Sequence, residues 1–517
     1  MSVLAIDAGT TGVTALVVAP DGTLAGRGYQ EFRQHYPEPG WVEHLPEGIW
    51  QAALSACGQA LDAAGTGAGT GGAAGPVRCV GVTNQRETAV LWDRATLASP
   101  RRAIVWQDRR TAPLCARLRE AGHEPRVTEL TGLRLDPYFT ATKLSWIADH
   151  DAPAWSGVRD GSTAVGTVDS YLVARLTGGR GHVTDASNAS RTLLFDIREG
   201  RWSEELCELL HVPVAALPEV VPSSGVAGYT DPAAFLGLSV PVAGIAGDQQ
   251  AALFGQACFA PGDAKCTYGT GSFVLANTGT SIVRAEGPKG GGLLSTVAWM
   301  DASGAMTYAL EGSVFVTGAA VQWLRDGLGL LDNAAQSEAL ARSVPDSGGV
   351  VFVPALTGLG APDWDPDARG AMFGITRGTT RAHLVRATLE AIAFEVRDVV
   401  DVMTTEAWRA GGSPGALKAD GGASANDLLM QLQADQLGVP VERPVVGETT
   451  ALGAAFLAGL ATGVWSSAAE LAATWRLDRR FTPGDRDDAA YLRWRAAVGH
   501  TRGWARDLAA GFPANTG

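Results

Sequence analysis

The chain has 517 residues, 65 of them glycine, and 46% of its residues are hydrophobic. This length exceeds what one hydrophobic core usually supports, so two or more domains are expected, and the apolar content excludes a mainly disordered chain. The net charge of −13 excludes nucleic-acid binding through a broad basic surface.

The first half is predicted to open as a strand, a glycine turn and a second strand. The predicted strands are Val3–Ile6, Val13–Val18, Thr23–Tyr29 and Cys79–Val82. Asp21-Gly22 is typical of a hairpin turn. A helix is predicted from about Pro46, and one of its faces carries Ile49, Ala53, Cys57 and Leu61. The low-complexity segment Asp62–Pro76 is expected to be a surface loop.

The second half repeats the order of strand, glycine turn and strand, which predicts two related domains. The predicted strands are Ala264–Tyr268, Phe273–Asn277, Leu293–Trp299, Met306–Leu310 and Ala416–Asp420. One predicted helix ends near Trp323, and three others span His383–Met403, Leu428–Leu437 and Thr450–Leu460. This alternation favours an α/β fold with a largely parallel sheet interior, divided into domains 1–250 and 251–517 at a junction near 245–262.

Three glycine turns directly follow apolar strands, and their sequences are DAGTTG from Asp7, YGTGS from Tyr268 and DGGASAN from Asp420. A carboxylate at a strand end, followed by free backbone amides and hydroxyls, suits a metal–phosphate complex. Neither the P-loop pattern nor the dinucleotide fingerprint is matched. For DAGTTG alone, a plain hairpin turn is the simpler interpretation.

Two further segments carry candidate polar chemistry. Asp248 follows a short apolar run, where its carboxylate could take a proton from an attacking hydroxyl or could cap a helix. Arg86 and Glu87, with Trp106 and Tyr138 downstream, suit a small polyhydroxylated ligand with an aromatic wall, although a surface ion pair is the alternative.

Two pairs of residues at a spacing of four would each share a helix face, namely Gly318 with Gln322 and Gly422 with Asn426. Such pairs could admit a flat base, with close helix packing as the equal alternative for Gly318. The six cysteines show no metal-binding or disulfide spacing, and Ala451–Trp465 is too short to span a bilayer. The first residues lack a secretory signal, so a cytoplasmic protein without membrane insertion is expected.

These motifs, in this order, resemble the FGGY family of carbohydrate kinases, and most of all its glycerol-phosphorylating members. The resemblance is carried by YPEPGWVEH (36–44), GVTNQRET (81–88), AIVWQDRRT (103–111), LDPYFTATK (135–143), VTDASNASRT (183–192), GIAGDQQAALFGQ (244–256), ALEGSVF (309–315), VQWLRD (321–326), TGLGAPDWDP (357–366) and RATLEAIAF (386–394). It implies two actin-like (ribonuclease H-like) ATPase domains with the active site in the cleft between them.

The resemblance also implies a set of roles. ATP and Mg²⁺ would serve glycerol phosphorylation to sn-glycerol 3-phosphate, with Asp248 as general base and Asp7 near the metal. The glycerol-binding residues would be Arg86, Glu87, Trp106, Tyr138, Asp248, Gln249 and Phe273. The nucleotide-binding residues would be Thr10, Thr11, Gly12, Thr270, Gly318, Gln322, Gly422 and Asn426. A homodimer or homotetramer is common in the family.

Two positions depart from the pattern of the glycerol-phosphorylating members. Thr14 stands where an arginine associated with the nucleotide phosphates is usual, and Gly228–Leu238 lacks the glycine/arginine loop linked to inhibition by fructose 1,6-bisphosphate. The alternatives are a family member acting on a tetritol, a ketopentose or a sugar acid, and a non-catalytic actin-like nucleotide sensor.

Overall fold

The computed structural model describes residues 1–66, 75–284, 292–406 and 415–510. Residues 67–74 of the predicted surface loop Asp62–Pro76 therefore lie outside the described residues. Two large sheets organise the chain, one built from the first half and one from the second.

The elements of the first half begin at Ser2 and end at Gly255. Its strands are β1 (Ser2–Ala8), β2 (Gly12–Val18), β3 (Leu24–Glu31), β4 (Gln34–His35), β5 (Glu43–His44), β6 (Val77–Asn84), β7 (Val90–Asp93), β8 (Ala103–Ile104), β9 (Thr163–Gly166), β10 (Val183–Asp185), β11 (Phe195–Asp196), β12 (Arg201–Trp202), β13 (Glu219–Val221), β14 (Ser224–Tyr229) and β15 (Pro241–Gly247). Its helices are α1 (Pro46–Ala64), α2 (Ala112–Glu120), α3 (Glu124–Thr131), α4 (Thr140–His150), α5 (Ala152–Asp160), α6 (Val168–Leu176), α7 (Ala186–Ala189), α8 (Glu204–Leu209) and α9 (Asp248–Gly255).

The second half continues from Ala264. Its strands are β16 (Ala264–Tyr268), β17 (Ser272–Gly279), β18 (Leu294–Met300), β19 (Met306–Val314), β20 (Val351–Val353), β21 (Ala371–Phe373), β22 (Leu417–Asp420), β23 (Val441–Pro444) and β24 (Leu477–Phe481). Its helices are α10 (Gly318–Asp326), α11 (Gln336–Arg342), α12 (Arg381–Glu406), α13 (Asp427–Leu437), α14 (Thr449–Ala461), α15 (Ala468–Thr474), α16 (Asp488–Thr501) and α17 (Trp504–Ala510).

The two large sheets share one plan. The first has the strand order β14-β15-β6-β1-β2-β3, and the second has the order β18-β19-β17-β16-β22-β23-β24. In each, the first strand of the opening hairpin pairs in parallel with a later strand, β1 with β6 and β16 with β22. The predicted repeat of strand, glycine turn and strand is therefore confirmed.

The sheets are less parallel than the sequence predicts. Parallel pairing is confined to β15-β6-β1 in the first sheet and to β16-β22-β23 in the second, and the other pairs are antiparallel. The physical reason is the tight glycine turns, because a short turn can join only antiparallel neighbours. The glycine turn of each half thus fixes an antiparallel pair beside the parallel strands.

Helix α1 follows the predicted apolar face, which packs on the first sheet. Ile49, Ala53, Cys57 and Leu61 are all buried in the same cluster as Leu4 and Val17 of the sheet. The Ala56 carbonyl oxygen is so close to β3 that a Cβ at Gly28 would lie 2.0 Å from it. Glycine in β3 therefore allows the helix to lie directly against the strand.

Helix α14 joins the second half of the chain to the first sheet. A Cβ at Gly81 of β6 would lie 2.2 Å from the Ala454 carbonyl oxygen of α14, and a Cβ at Gly453 would lie 1.8 Å from the Ala251 carbonyl oxygen of α9. The backbones meet there because neither glycine has a side chain. Within the described part of the chain, no helix has the length and apolar character needed to cross a membrane.

Candidate active site

Arg86 lies at the centre of a buried polar cluster contributed by both halves of the chain. It follows β6, and its guanidinium makes two hydrogen bonds to Glu311 of β19, Nη1 to Oε2 at 2.5 Å and Nη2 to Oε1 at 3.0 Å. Its Nε lies 3.2 Å from Asp248 Oδ1, and Nη2 also donates to the Tyr138 hydroxyl at 3.3 Å. Since Arg86 is 2% exposed, the surface ion pair considered from the sequence is wrong.

Glu87 is held on the opposite side of the cluster by a second arginine. Its Oε1 accepts a hydrogen bond from Arg191 Nε at 2.7 Å, and Arg191 Nη2 donates to Glu311 Oε1 at 2.9 Å. Glu87 has a φ of +60°, a backbone conformation that a residue with a side chain rarely adopts. Such strain persists where surrounding contacts fix it, and the arginines on either side do so here.

Three aromatic rings line the polar cluster. The rings of Trp106 and Tyr138 meet edge to face at 5.6 Å, and those of Trp106 and Phe273 at 6.4 Å. The Trp106 indole Nε1 also donates to Thr10 Oγ1 at 2.9 Å, which connects the aromatic wall to the first glycine turn. The three aromatic residues of the predicted glycerol-binding set therefore lie together, and Trp106 joins them to the predicted phosphate turn.

Asp248 is the first residue of α9, and Gly247 occupies the N-cap position without a side-chain cap. Asp248 is therefore not the N-cap residue, although its carboxylate accepts a hydrogen bond from the Gln249 N–H of the first turn at 2.7 Å. Its side chain is 27% exposed, so an incoming hydroxyl can reach the carboxylate. Burial raises the pKa of Asp248, and the positive charges of Arg86 and Lys265 oppose that shift.

Gln249 is anchored from the second half of the chain. Lys265 Nζ of β16 donates to Gln249 Oε1 at 2.5 Å and to Thr267 Oγ1 at 2.8 Å. Lys265 is fully buried, and burial lowers the pKa of its ammonium group. Because Lys265 occupies the Gln249 oxygen, the Gln249 amide NH₂ remains the part available to donate to a ligand.

The carboxylate of Asp7 lies near enough to that of Asp248 for the two negative charges to repel each other. Burial, with the negative charge of Asp248 as the second cause, raises the pKa of Asp7 to about 7. Two carboxylates that repel each other suit a divalent cation, and Mg²⁺ usually takes one or two protein carboxylates together with substrate phosphates. Within the described ranges, no group of three or more His, Cys, Asp or Glu side chains could hold a metal by itself.

Thr14, which the resemblance marks as a departure, is the β2 residue directly opposite Asp7 in the pairing of β1 with β2. A short hydroxyl side chain thus stands in the register position next to this carboxylate. The position is half-buried.

The second glycine turn supports the start of α10. The Thr270 carbonyl oxygen accepts hydrogen bonds from the backbone N–H groups of Thr317 at 2.9 Å and Ala319 at 3.1 Å. A Cβ at Gly318 would lie 2.6 Å from the Gly269 carbonyl oxygen. Close packing therefore accounts for glycine at position 318, whereas its role toward a nucleotide stays a prediction.

The remaining predicted nucleotide residues lie on separate elements. Gln322 is exposed one turn into α10, and a Cβ at Gly422 would meet no atom within 4 Å. Asn426 is the N-cap of α13, since its Oδ1 accepts from the Leu429 N–H at 2.9 Å, and its Nδ2 donates to Ser337 Oγ at 3.2 Å. The local role of Asn426 is thus to cap a helix.

Three charged residues of the cluster were not predicted from the sequence, namely Arg191, Lys265 and Glu311. Lys265 and Glu311 each lie within an otherwise largely apolar strand, AKCTY and MTYALEGSV. A lone charge in such a strand is rarely tolerated without a partner, so this pattern could have indicated buried charges with polar or charged partners. Arg191 follows α7 and offers no comparable signal.

Comparison with known proteins gives matches over nearly the whole chain. The N-terminal domain model of the FGGY family of carbohydrate kinases matches residues 2–255, and the C-terminal domain model matches residues 264–462. A glycerol kinase of Aromatoleum aromaticum is 57% identical over 97% of this chain and 99% of its own, and one of Symbiobacterium thermophilum is 54% identical over 98% and 99%. The crystal structure of Plasmodium falciparum glycerol kinase with ADP aligns with a TM-score of 0.85 at 32% identity, covering 97% of this chain and 98% of that one.

Proposed function

The chain belongs to the FGGY family of carbohydrate kinases, and we propose that it transfers the γ-phosphoryl group of ATP to glycerol. The products are sn-glycerol 3-phosphate and ADP. The observation that carries this conclusion is the convergence of Arg86, Asp248 and Tyr138 in one buried cluster, lined by aromatic rings. These residues lie within the part of the chain that aligns with glycerol kinases, which are more than 50% identical to it over nearly its full length.

We propose that Asp248 is the general base. Its carboxylate takes the proton of the attacking glycerol hydroxyl while the hydroxyl oxygen forms a bond to the γ-phosphorus. The bond from that phosphorus to the β–γ bridging oxygen breaks, and ADP leaves with the electron pair. Asp248 is suited to this step because its side chain is 27% exposed, whereas those of Glu87 and Glu311 are buried and paired with arginines.

The polar and aromatic parts of the cluster would divide the binding of glycerol. Arg86, Glu87 and the Gln249 amide offer donors and acceptors to the three hydroxyl groups. Trp106, Tyr138 and Phe273 would cover the carbon skeleton, because aromatic rings pack well on the apolar face of a small polyol. The preference for a three-carbon substrate would follow from this enclosure.

ATP would bind across the first and second glycine turns, which follow Asp7 and Tyr268. Thr10, Thr11 and Gly12 on one side and Thr270 on the other would contact the phosphate chain, and the adenosine end would take Gly318, Gln322, Gly422 and Asn426. Gly422 suits a flat base because nothing lies within 4 Å of where its Cβ would be. Asp7 would hold Mg²⁺, which when bound neutralises part of the phosphate charge.

The wider organisation that we propose follows the family pattern. Domains 1–250 and 251–517 would form the two walls of the cleft, and closure of the cleft would exclude water from the transfer. The protein would act in the cytoplasm as a homodimer or homotetramer. Size-exclusion chromatography with light scattering measures that oligomeric state directly.

A coupled assay of ADP release over a panel of polyols tests the proposed function. Glycerol is expected to give the highest kcat/KM, well above a tetritol, a ketopentose and a sugar acid. A higher kcat/KM for one of these would show that the chain is a different carbohydrate kinase. ADP binding without turnover on any member of the panel would identify a nucleotide sensor instead.

A further inference from the structure

Glu311 is a buried carboxylate of the second half that contacts two arginines of the first half. It lies in β19, is 0% exposed and is separated from Arg86 by 225 residues in the sequence. Its two oxygens accept two hydrogen bonds from Arg86, at 2.5 and 3.0 Å, and one from Arg191, at 2.9 Å. Every one of these bonds joins two opposite charges, which makes them shorter and stronger than neutral hydrogen bonds.

The charge on Glu311 is fixed by its surroundings. Burial alone would raise its pKa, but Arg191 and Arg86 lower the pKa of Glu311 to about 2. Glu311 is therefore a permanent anion at neutral pH. With Arg86, Glu87 and Arg191 it forms a buried set of two arginines and two glutamates that pair with one another.

The contacts with Glu311 also fix the orientation of Arg86 within the candidate glycerol site. Both terminal nitrogens of Arg86 bind the Glu311 carboxylate, so the guanidinium plane cannot turn. This orientation leaves Nε beside Asp248 and directs Nη2 toward the Tyr138 hydroxyl. The way in which Arg86 faces Asp248 and Tyr138 is thus set by a strand of the opposite half.

We propose that Glu311 is a positioning residue for the glycerol site, acting through Arg86 and not by contact with the substrate. The inference rests on the proposed function, because it takes glycerol as the ligand that Arg86 binds. It implies that glycerol affinity depends on β19 of the second sheet, although Arg86 itself belongs to the first half. A purely structural ion pair would instead support the fold without distinguishing glycerol from ATP.

Glu311→Gln tests the inference, because it keeps the size of the side chain and removes its charge. The KM for glycerol is expected to rise about tenfold or more, whereas the KM for ATP stays near that of the wild type. Glu311→Asp keeps the charge but withdraws the carboxylate by one methylene, so a smaller rise of about threefold to tenfold in the glycerol KM alone is expected. It serves as the second variant if Glu311→Gln does not fold.

Asp398→Asn is the matched control. Asp398 is a buried carboxylate of α12 with comparable partners, since Arg495 Nη1 lies 2.6 Å from its Oδ2 and Tyr491 donates to its Oδ1 at 2.5 Å. Its loss should lower stability and leave both KM values unchanged. The double variant Arg86→Ala/Glu311→Gln should show no higher glycerol KM than Arg86→Ala alone, because Glu311 acts through Arg86.

Three results would overturn the inference while the wild type still phosphorylates glycerol. The first is an unchanged glycerol KM in both Glu311 variants, and the second is an equal rise in the two KM values. The third is an additive rise in the double variant, which would show that Glu311 does not act through Arg86. Failure of the wild type to phosphorylate glycerol would instead refute the proposed function.

Discussion

Asp248→Asn is expected to remove the basic carboxylate from the cluster while leaving its folded structure unchanged. In the wild type, Asp248 Oδ1 accepts from the Gln249 N–H at 2.7 Å and lies 3.2 Å from Arg86 Nε. Asparagine has the same side-chain size and keeps an oxygen that can make both contacts. The folded structure should therefore persist. Loss of a carboxylate in the first turn of α9 costs roughly 0.3–1 kcal/mol of helix stability, whereas loss of general-base assistance typically lowers a rate by about 10²–10⁴.

The expected result is a fall in kcat of about 10²–10⁴ with nearly unchanged stability. Coupled ADP release at saturating glycerol and ATP measures kcat, and urea denaturation measures the free energy of unfolding. Asp487→Asn is the matched control, because Asp487 is the N-cap of α16 and accepts from the Ala490 N–H at 2.9 Å. That variant should keep the wild-type kcat. Near wild-type kcat in Asp248→Asn would refute the assignment of the base.

Three further predictions test other parts of the molecule. Arg86→Ala should raise the glycerol KM about tenfold or more, because a charged hydrogen bond is lost in a closed site, and it should raise the ATP KM far less; equal rises would indicate a structural role. Fructose 1,6-bisphosphate, titrated to about millimolar levels, should not inhibit, because Gly228–Leu238 has no lysine or arginine and the neighbouring Arg180 is paired with Asp231 at 3.0 Å. Saturable inhibition abolished by mutation of that segment would contradict this. Burial lowers the pKa of Lys143 from 10.5 to about 7, so the unfolded chain binds more protons in that interval and the free energy of unfolding should rise with pH across it. Lys143→Met should reduce the rise in the free energy of unfolding between pH 7 and pH 9, as measured by urea denaturation. An unchanged rise would refute the reasoning.

The local features of the fold could be predicted from the sequence. The strand before and the strand after each of the first two glycine turns are where the apolar runs place them, and α1 buries the predicted face. These features depend on residues a few positions apart, whose periodicity and turn chemistry act within one element. Trp106 and Tyr138 were proposed as an aromatic wall from the chemistry of the neighbouring residues, whereas the addition of Phe273 followed from the family resemblance.

The features that escaped prediction depend on contacts between distant segments. Helix α14 was predicted as a helix, but nothing in its own residues indicates that it packs on β6, more than 360 positions earlier in the chain. The pairing of Glu311 with Arg86 is of the same kind, since it joins residues 225 positions apart. The capping role of Asn426 was missed for another reason, because a base-binding side chain and an N-cap share the same residue preference.

The charges around Asp248 explain how the proposed general base can stand beside an arginine and keep its basicity. Burial and the negative charge of Glu311 raise the pKa of Asp248, while Arg86 and Lys265 lower it. An arginine alone would keep the carboxylate so firmly ionised that it would accept a proton poorly. Because Glu311 neutralises much of the Arg86 charge, the guanidinium can bind hydroxyl groups and still leave Asp248 able to take a proton. In the proposed mechanism, substrate binding and proton transfer thus depend on one balance of charges, which requires residues from both halves of the chain.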